Sequence, residues 1–147
     1  MSIEENKALL RQYNRDWSAN MGDPAKIRAW ADKYIGPDFI HHSLTRGDTN
    51  REQRLQSVLM LMPAMPDLNY TEDDMVAEGD KVVVVYTMRF THKGPIMGIP
   101  PTGKQIAVKG IEIYRIKDGK IAETWEFGDN WGLMTQLGAI PSPTLKK

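Results

Sequence analysis

Apolar positions recur at helical spacing in the first part of the chain and at strand spacing in the rest. Ser2 and Glu5 form a capping box, and Leu10, Tyr13 and Trp17 follow at i, i+3 and i+7, which predicts a helix from Ser2 to about Asn20. Gly22 is a stop, and Asp23-Pro24 restarts a helix with an N-cap and a proline at its first position. Ile27, Trp30, Ala31 and Tyr34 mark its apolar face before Gly36-Pro37 ends it. A short segment from Asp38 to His42 reads as a strand. Thr49 and Glu52 then make a second capping box, opening a helix through Leu55, Val58, Leu59 and Met62 that Pro63 and Pro66 close.

Beyond Leu68 the period changes. A mixed stretch to Glu78 leads into Gly79-Asp80, a two-residue hairpin signal, and Lys81 to Phe90 carries Val82-Val83-Val84-Val85-Tyr86, a strand expected to be covered on both faces. Positions 94–103 form a Gly- and Pro-rich loop. Strands at 106–116 and 121–127 flank Lys117-Asp118-Gly119, and Trp131 to Leu137 reads as a helical turn before the tail Pro141 to Lys147. Helices followed by meandering strands give an α+β class, with one domain over 1–147 and an ordered core from about 2 to 140. The chain contains no G-x-G-x-x-G or P-loop pattern for a nucleotide.

Composition narrows the function classes. The 147 residues hold 19 basic and 19 acidic side chains and no cysteine, so a basic stripe for nucleic acid, a disulfide framework and a thiol nucleophile are all excluded. No apolar run approaches the ~20 residues that span a bilayer. The acidic start, Met1-Ser2-Ile3-Glu4-Glu5-Asn6, is unlike a signal peptide. The expectation is a cytoplasmic protein that engages neither nucleic acid nor membrane.

Candidate chemistry centres on the last hairpin. A two-residue turn at Asp118-Gly119 would set Glu112 opposite Trp125 and away from Glu126. A three-residue loop with Gly119 in the left-handed region would instead set Glu112 opposite Thr124 and Glu126 opposite Gly110, on one shared face, and this register is preferred. Two carboxyl groups close together in a dry pocket do not both ionise easily, so one would stay protonated and serve as a proton donor. In the competing arrangement Ile111, Ile113, Trp125 and Phe127 form the core, and both glutamates face solvent. Asp129 is a second acid–base candidate, re-aimed inward by a bulge at Gly128, or else an N-cap for the turn at Trp131. His41 and His42 are adjacent and point to opposite faces, so they cannot chelate one metal together, and no H-x-H or H-x-x-x-H spacing occurs. His92, Met97 and Ile99 belong to the loop expected at a pocket mouth, while Trp17, Trp30, Tyr13 and Met62 lie on helix faces that serve the core, and some of them could also line the pocket.

A resemblance enters with the ordered motifs from Phe90 onward. Thr91-His92-Lys93-Gly94, Gly98-Ile99-Pro100-Pro101-Thr102-Gly103-Lys104, Tyr114-Arg115-Ile116, Asp118-Gly119-Lys120-Ile121, Glu123, Trp125, Asp129, Gly132-Leu133 and Gln136-Leu137-Gly138 resemble the SnoaL-like polyketide cyclases and their ester-cyclase relatives. The resemblance implies a cone-shaped α+β barrel of the ketosteroid-isomerase and nuclear-transport-factor-2-like superfamily. It also implies a homodimer formed through the outer sheet face, and an intramolecular aldol condensation that uses no metal or cofactor. It favours the inward reading of the carboxylates, because an apolar outer face then has a use. Glu126 matches the family's catalytic aspartate, Glu112 stands where cyclases carry a histidine, and Asp129 matches an aspartate of the ester-cyclase relatives. His41 matches a substrate-contacting position, and His42 a histidine common among the wider relatives. The expectation is a cyclase-like enzyme acting on an apolar, carbonyl-rich molecule, with Glu126, Asp129 and Glu112 as its acid–base candidates. His41, His42, His92, Trp17, Met97 and Ile99 are the expected substrate contacts. The alternatives are a non-catalytic domain that binds a small hydrophobic ligand, or a cofactor-free hydroxylase or isomerase.

Overall fold

Ser2 and Glu5 cap the first helix reciprocally, as their spacing predicts, and α1 runs Ile3–Asn20. Asp23 caps α2, Pro24–Tyr34, by accepting from the Ala25 and Lys26 amides. The computed structural model describes residues 1–142, so most of the tail, including Lys146-Lys147, lies outside the described residues.

Gly36-Pro37 does not form a loop after α2. Strand β1, Ile35–Ser43, begins at once and runs through both residues. Proline has no amide hydrogen to give to a ladder, and the pairing of β1 is accordingly irregular between Ile35 and Ile40. A short strand β2, Gly47–Asn50, follows and pairs antiparallel with β1; nothing in Gly-Asp-Thr-Asn announces it. This pairing corrects the second capping box by one residue. Thr49 is held opposite His41 in the ladder, so Asn50 caps α3, Arg51–Leu61, with Gln53 as the reciprocal partner. Met62–Ala64 tightens into a 3-10 turn in place of a last α-helical turn.

The remaining strands are β3, Asn69–Glu78; β4, Lys81–Thr91; β5, Gln105–Lys117; and β6, Lys120–Gly128. A closing helix α4, Asn130–Gln136, is tied to β5 where the Gln136 side chain bonds the Ala107 amide and carbonyl. The six strands form one mixed sheet in the order β2-β1-β6-β5-β4-β3, in which only β1 and β6 run parallel. The expected closure into a barrel is not made. The β2 and β3 edges do not pair with each other; α1 lies along β3 instead, with Trp17 edge-on to Tyr70 at 5.8 Å and Arg11 bonded to Glu72 at 3.4 Å. A helix laid against an edge strand is one way to keep it from pairing elsewhere.

Helices and sheet share one core in which Leu10, Ile27, Leu55, Val84 and Ile121 are buried. Each such side chain contributes about 1.5–3 kcal/mol when fully buried. Along β5 the inward positions Ile106, Val108, Gly110, Glu112, Tyr114 and Ile116 are all buried. Glu112 therefore occupies a core position. Within the run Val82 to Tyr86 of β4 only the alternate residues Val82, Val84 and Tyr86 are buried, while Val83 and Val85 are half-covered, so this run is less enclosed than its apolar character predicts. Gly110 opposes both Tyr86 and Gly128, and a Cβ there would collide with the Tyr86 hydroxyl. Gly110 thus clears the sheet surface on which that ring lies.

The hairpin between β5 and β6 departs from the expected register. Asp118 and Gly119, at φ 52° and 72°, make a two-residue turn that pairs Lys117 with Lys120. The register then shifts between Arg115 and Ile116, where Ala122 is left unpaired on β6, so that Glu112 comes directly opposite Glu126. Both glutamates share a face as expected, but a bulge accomplishes it, not a longer loop.

Candidate active site

The inner face of β1, β5 and β6 carries a block of polar side chains at one level of the sheet. His41 is opposite Thr124, Thr124 opposite Tyr114, and Glu126 opposite Glu112. Helices α1 and α3 cover this block and leave a cavity of about 170 Å³. Tyr13 and Trp17 of α1, Arg54 and Val58 of α3, and Tyr86 of β4 line it along with the carboxylates. Leu44, Arg46 and Met97, from the β1–β2 turn and the Gly- and Pro-rich loop, also contribute to the lining.

His41 is the hub. Its Nε2 is 3.1 Å from Glu126 Oε2, its Nδ1 is 2.7 Å from the Thr124 hydroxyl, and Glu112 Oε1 is 3.9 Å from Nδ1. Burial holds the imidazole below its ordinary pKa, against the pull of the Glu126 hydrogen bond. The uncharged ring satisfies both contacts when Nε2–H donates to Glu126 and Nδ1 accepts from Thr124. Glu112 is buried and accepts a 2.9 Å hydrogen bond from the Tyr114 hydroxyl. Burial, followed by the charge of Glu126, pushes its carboxyl up to about 7. Burial also works against ionised Glu126, but the His41 hydrogen bond and then the Arg54 guanidinium hold that group well below the carboxylate range. Below about pH 7 the pair thus divides into a protonated Glu112 and an ionised Glu126. One can donate a hydrogen bond or a proton, and the other can accept a proton.

Three expected site residues meet here: Glu112, Glu126 and His41. Trp17 and Met97 line the cavity as well. The other four lie elsewhere. Asp129 is exposed and caps α4, its Oδ1 accepting the Gly132 amide at 2.8 Å; the bulge precedes β6's last residues and does not turn Asp129 inward. His42 points to the outer face, between Asp48 at 2.8 Å and Glu123 at 2.7 Å and stacked on Trp125. His92 is buried inside its loop, where Nδ1 accepts from the Thr102 amide and meets the Thr102 hydroxyl, so it holds the two arms of the turn together. Ile99 packs against the core instead of the cavity. Among the described residues no group of three or more His, Asp or Glu side chains is placed to hold a metal ion.

Sequence reasoning offered Tyr13 as a pocket residue but missed Arg54, Tyr70, Tyr86 and Tyr114. Arg54, Val58 and Leu61 fall at i, i+4 and i+7 on α3, and all three line the cavity. That stripe was legible, although an arginine beside apolar positions ordinarily reads as a helix flank. Tyr13, Tyr70, Tyr86 and Tyr114 converge from four elements, and burial raises the pKa of each.

Comparison with known proteins agrees with this fold. The model of the SnoaL-like polyketide cyclase family matches residues 7–137. Nogalonic acid methyl ester cyclase of Streptomyces nogalater is 28% identical over 110 residues, covering 73% of this chain and 82% of that protein. The crystal structure of AclR, a putative hydroxylase from Streptomyces galilaeus, superposes with a TM-score of 0.83 at 29% identity, covering 97% of this chain and 87% of that one. TsrD from Streptomyces laurentii matches with a TM-score of 0.78 at 31% identity, over 95% of this chain and 99% of that one.

Proposed function

This chain belongs to the SnoaL-like polyketide cyclase family, and we propose that it is an acid–base enzyme that closes a ring in a small carbonyl-rich molecule, with Glu126 as the general acid/base. The observation that carries this reading is the 3.1 Å contact between His41 Nε2 and Glu126 Oε2, made in the cavity wall directly opposite a raised-pKa Glu112. Ionised Glu126 removes a proton from the carbon between two carbonyl groups, which is already acidic. The resulting enolate carbon attacks a second carbonyl of the same molecule, and the new alkoxide takes the proton back from Glu126. Protonated Glu112 donates a hydrogen bond to the oxygen on which charge develops, where an already oriented donor is worth most. His41, itself oriented by Thr124, holds the Glu126 carboxylate in place and need not change protonation state.

The experiment is proton exchange in D2O. A small acyclic 1,3-diketone that is mainly in its keto form, such as 3-methylpentane-2,4-dione, should lose its C–H signal by NMR faster with the protein than without it. Glu126→Gln should reduce the enzymatic rate about 100-fold or more, in line with loss of a general base, while circular dichroism and melting show an intact fold. Wild-type exchange at the buffer rate, or full activity in Glu126→Gln, would refute the assignment. The likeness to AclR, described as a putative hydroxylase, supports a second reading in which the same carboxylate forms an enolate that reacts with dioxygen. Oxygen consumption in the same assay separates the two.

A further inference from the structure

Arg54 stands out among the charged groups of the cavity. It reaches in from α3, is only partly buried, and among the described residues makes no ion pair within 4.0 Å and no side-chain hydrogen bond. Its charge is nevertheless well supported. Burial opposes it, but Glu126 and then Glu112 hold the guanidinium above its ordinary pKa. A guanidinium, a planar fork of five donors, thus stands in the cavity wall with none of them engaged by a described partner.

We propose that Arg54 forms an oxyanion subsite, and that the molecule bound in this pocket is a compact anionic carbonyl compound whose carboxylate or ionised enol oxygen pairs with the guanidinium. The inference rests on the reading that this cavity is the ligand site, and it adds the charge and size of the ligand. The charge follows from the lining. Below about pH 7, where Glu112 is protonated and His41 uncharged, two guanidiniums, Arg46 and Arg54, line the cavity with one ionised carboxylate, Glu126. A single negative charge on the ligand balances the site. The apolar and aromatic walls lower the local dielectric, which strengthens such a pair relative to one in water. The size follows from the volume: about 170 Å³ is close to the ~150 Å³ of a cavity that accepts benzene. One ring fits inside, and any further part of the molecule extends toward Arg46 and Met97.

The charge balance also sets a pH dependence. Glu112 and Tyr114 of β5, Glu126 of β6, His41 of β1, Tyr13 of α1, Tyr70 of β3, Tyr86 of β4 and Arg46 are the titratable and charged groups that face Arg54 or the same cavity. Burial moves the tyrosines further above neutrality and His41 below its ordinary value, so Glu112 is the group that changes charge near neutral pH. Its ionisation cancels the positive excess.

The test is isothermal titration of the purified protein with benzoate against benzamide, and with 1,3-cyclohexanedione, which ionises as its enol, against cyclohexanone. At about pH 6 the anion of at least one pair should bind about tenfold more tightly than its neutral counterpart, the scale of a charge-assisted hydrogen bond. A preference confined to benzoate assigns a carboxylate, and one confined to the dione assigns an ionised enol. Arg54→Gln should abolish the preference, and Arg54→Lys should keep part of it. Near pH 8 the wild-type preference should shrink, whereas Glu112→Gln should retain it. Equal affinity within both pairs, including no detectable binding by any probe at millimolar concentration, would overturn the proposal, as would a preference that survives Arg54→Gln. Glu126→Gln should bind the anion more tightly still, so the subsite can stand if the acid–base role of Glu126 fails, and fall if that role holds.

Discussion

Replacing Glu112 by glutamine should make the protein more stable at alkaline pH. Glutamine matches the shape of a protonated glutamate and can still accept the Tyr114 hydrogen bond, which spans 2.9 Å. The magnitude follows from linkage. Glu112 titrates near 4.5 when unfolded and is raised to about 7 in the folded chain. Between those values the folded state holds a proton that the unfolded state has released, so stability falls as pH rises across the window. The contribution is fully present below pH 4.5 and lost once pH passes about 7. At about 1.4 kcal/mol per pH unit, the loss amounts to about 3 kcal/mol. His41, whose folded pKa lies below its ordinary value, acts in the opposite sense, stabilising the fold as pH rises. It is present in both proteins, so the difference between their curves isolates Glu112. Urea denaturation followed by tryptophan fluorescence at intervals from pH 4.5 to 8.5 would give both curves. The Glu112→Gln protein should gain on the wild type steadily through the window, reaching about 3 kcal/mol, or about 6–12 °C in melting temperature for a domain of this size. Parallel curves would refute the claim that Glu112 is held protonated, and with it the division of labour between the two carboxyl groups.

Two further outcomes separate the site from its surroundings. Asp129→Ala should cost about 1 kcal/mol of stability through loss of the α4 cap and leave diketone exchange at the wild-type rate; a large loss of exchange would restore Asp129 to the acid–base machinery. The outer sheet face exposes Ile111 and Phe127 beside half-buried Ile113 and Trp125, so the chain should sediment as a dimer at micromolar concentration. Phe127→Lys should then shift it toward monomer, and a wild-type monomer would refute that use of the face.

The local parts of this fold were written into the sequence because they depend on neighbours a few positions apart. Ser2 with Glu5, Asp23-Pro24 and Gly79-Asp80 each act over two or three residues, and each forms where its spacing predicts. Alternation along β5 likewise placed Glu112 and Tyr114 on one face. It did not say which face lay inside, because Ile111 and Ile113 supply an apolar set on the other side. The two patterns compete on equal terms until helices cover one of them. The capping box at α3 erred by one residue because Thr49 was taken up by pairing with His41, a contact that no local rule anticipates.

The site itself belongs to the tertiary structure. His41 meets Thr124 and Glu126 across more than eighty positions of chain, through the one parallel pairing of the sheet. The bulge at Ala122 sets Glu126 opposite Glu112, and α3 brings Arg54 over both. Sequence alone supplied the residue types and the family motifs that pointed to this hairpin. Which carboxyl group is ionised depends on burial and on the charges that folding brings alongside, and those exist only once distant segments have packed.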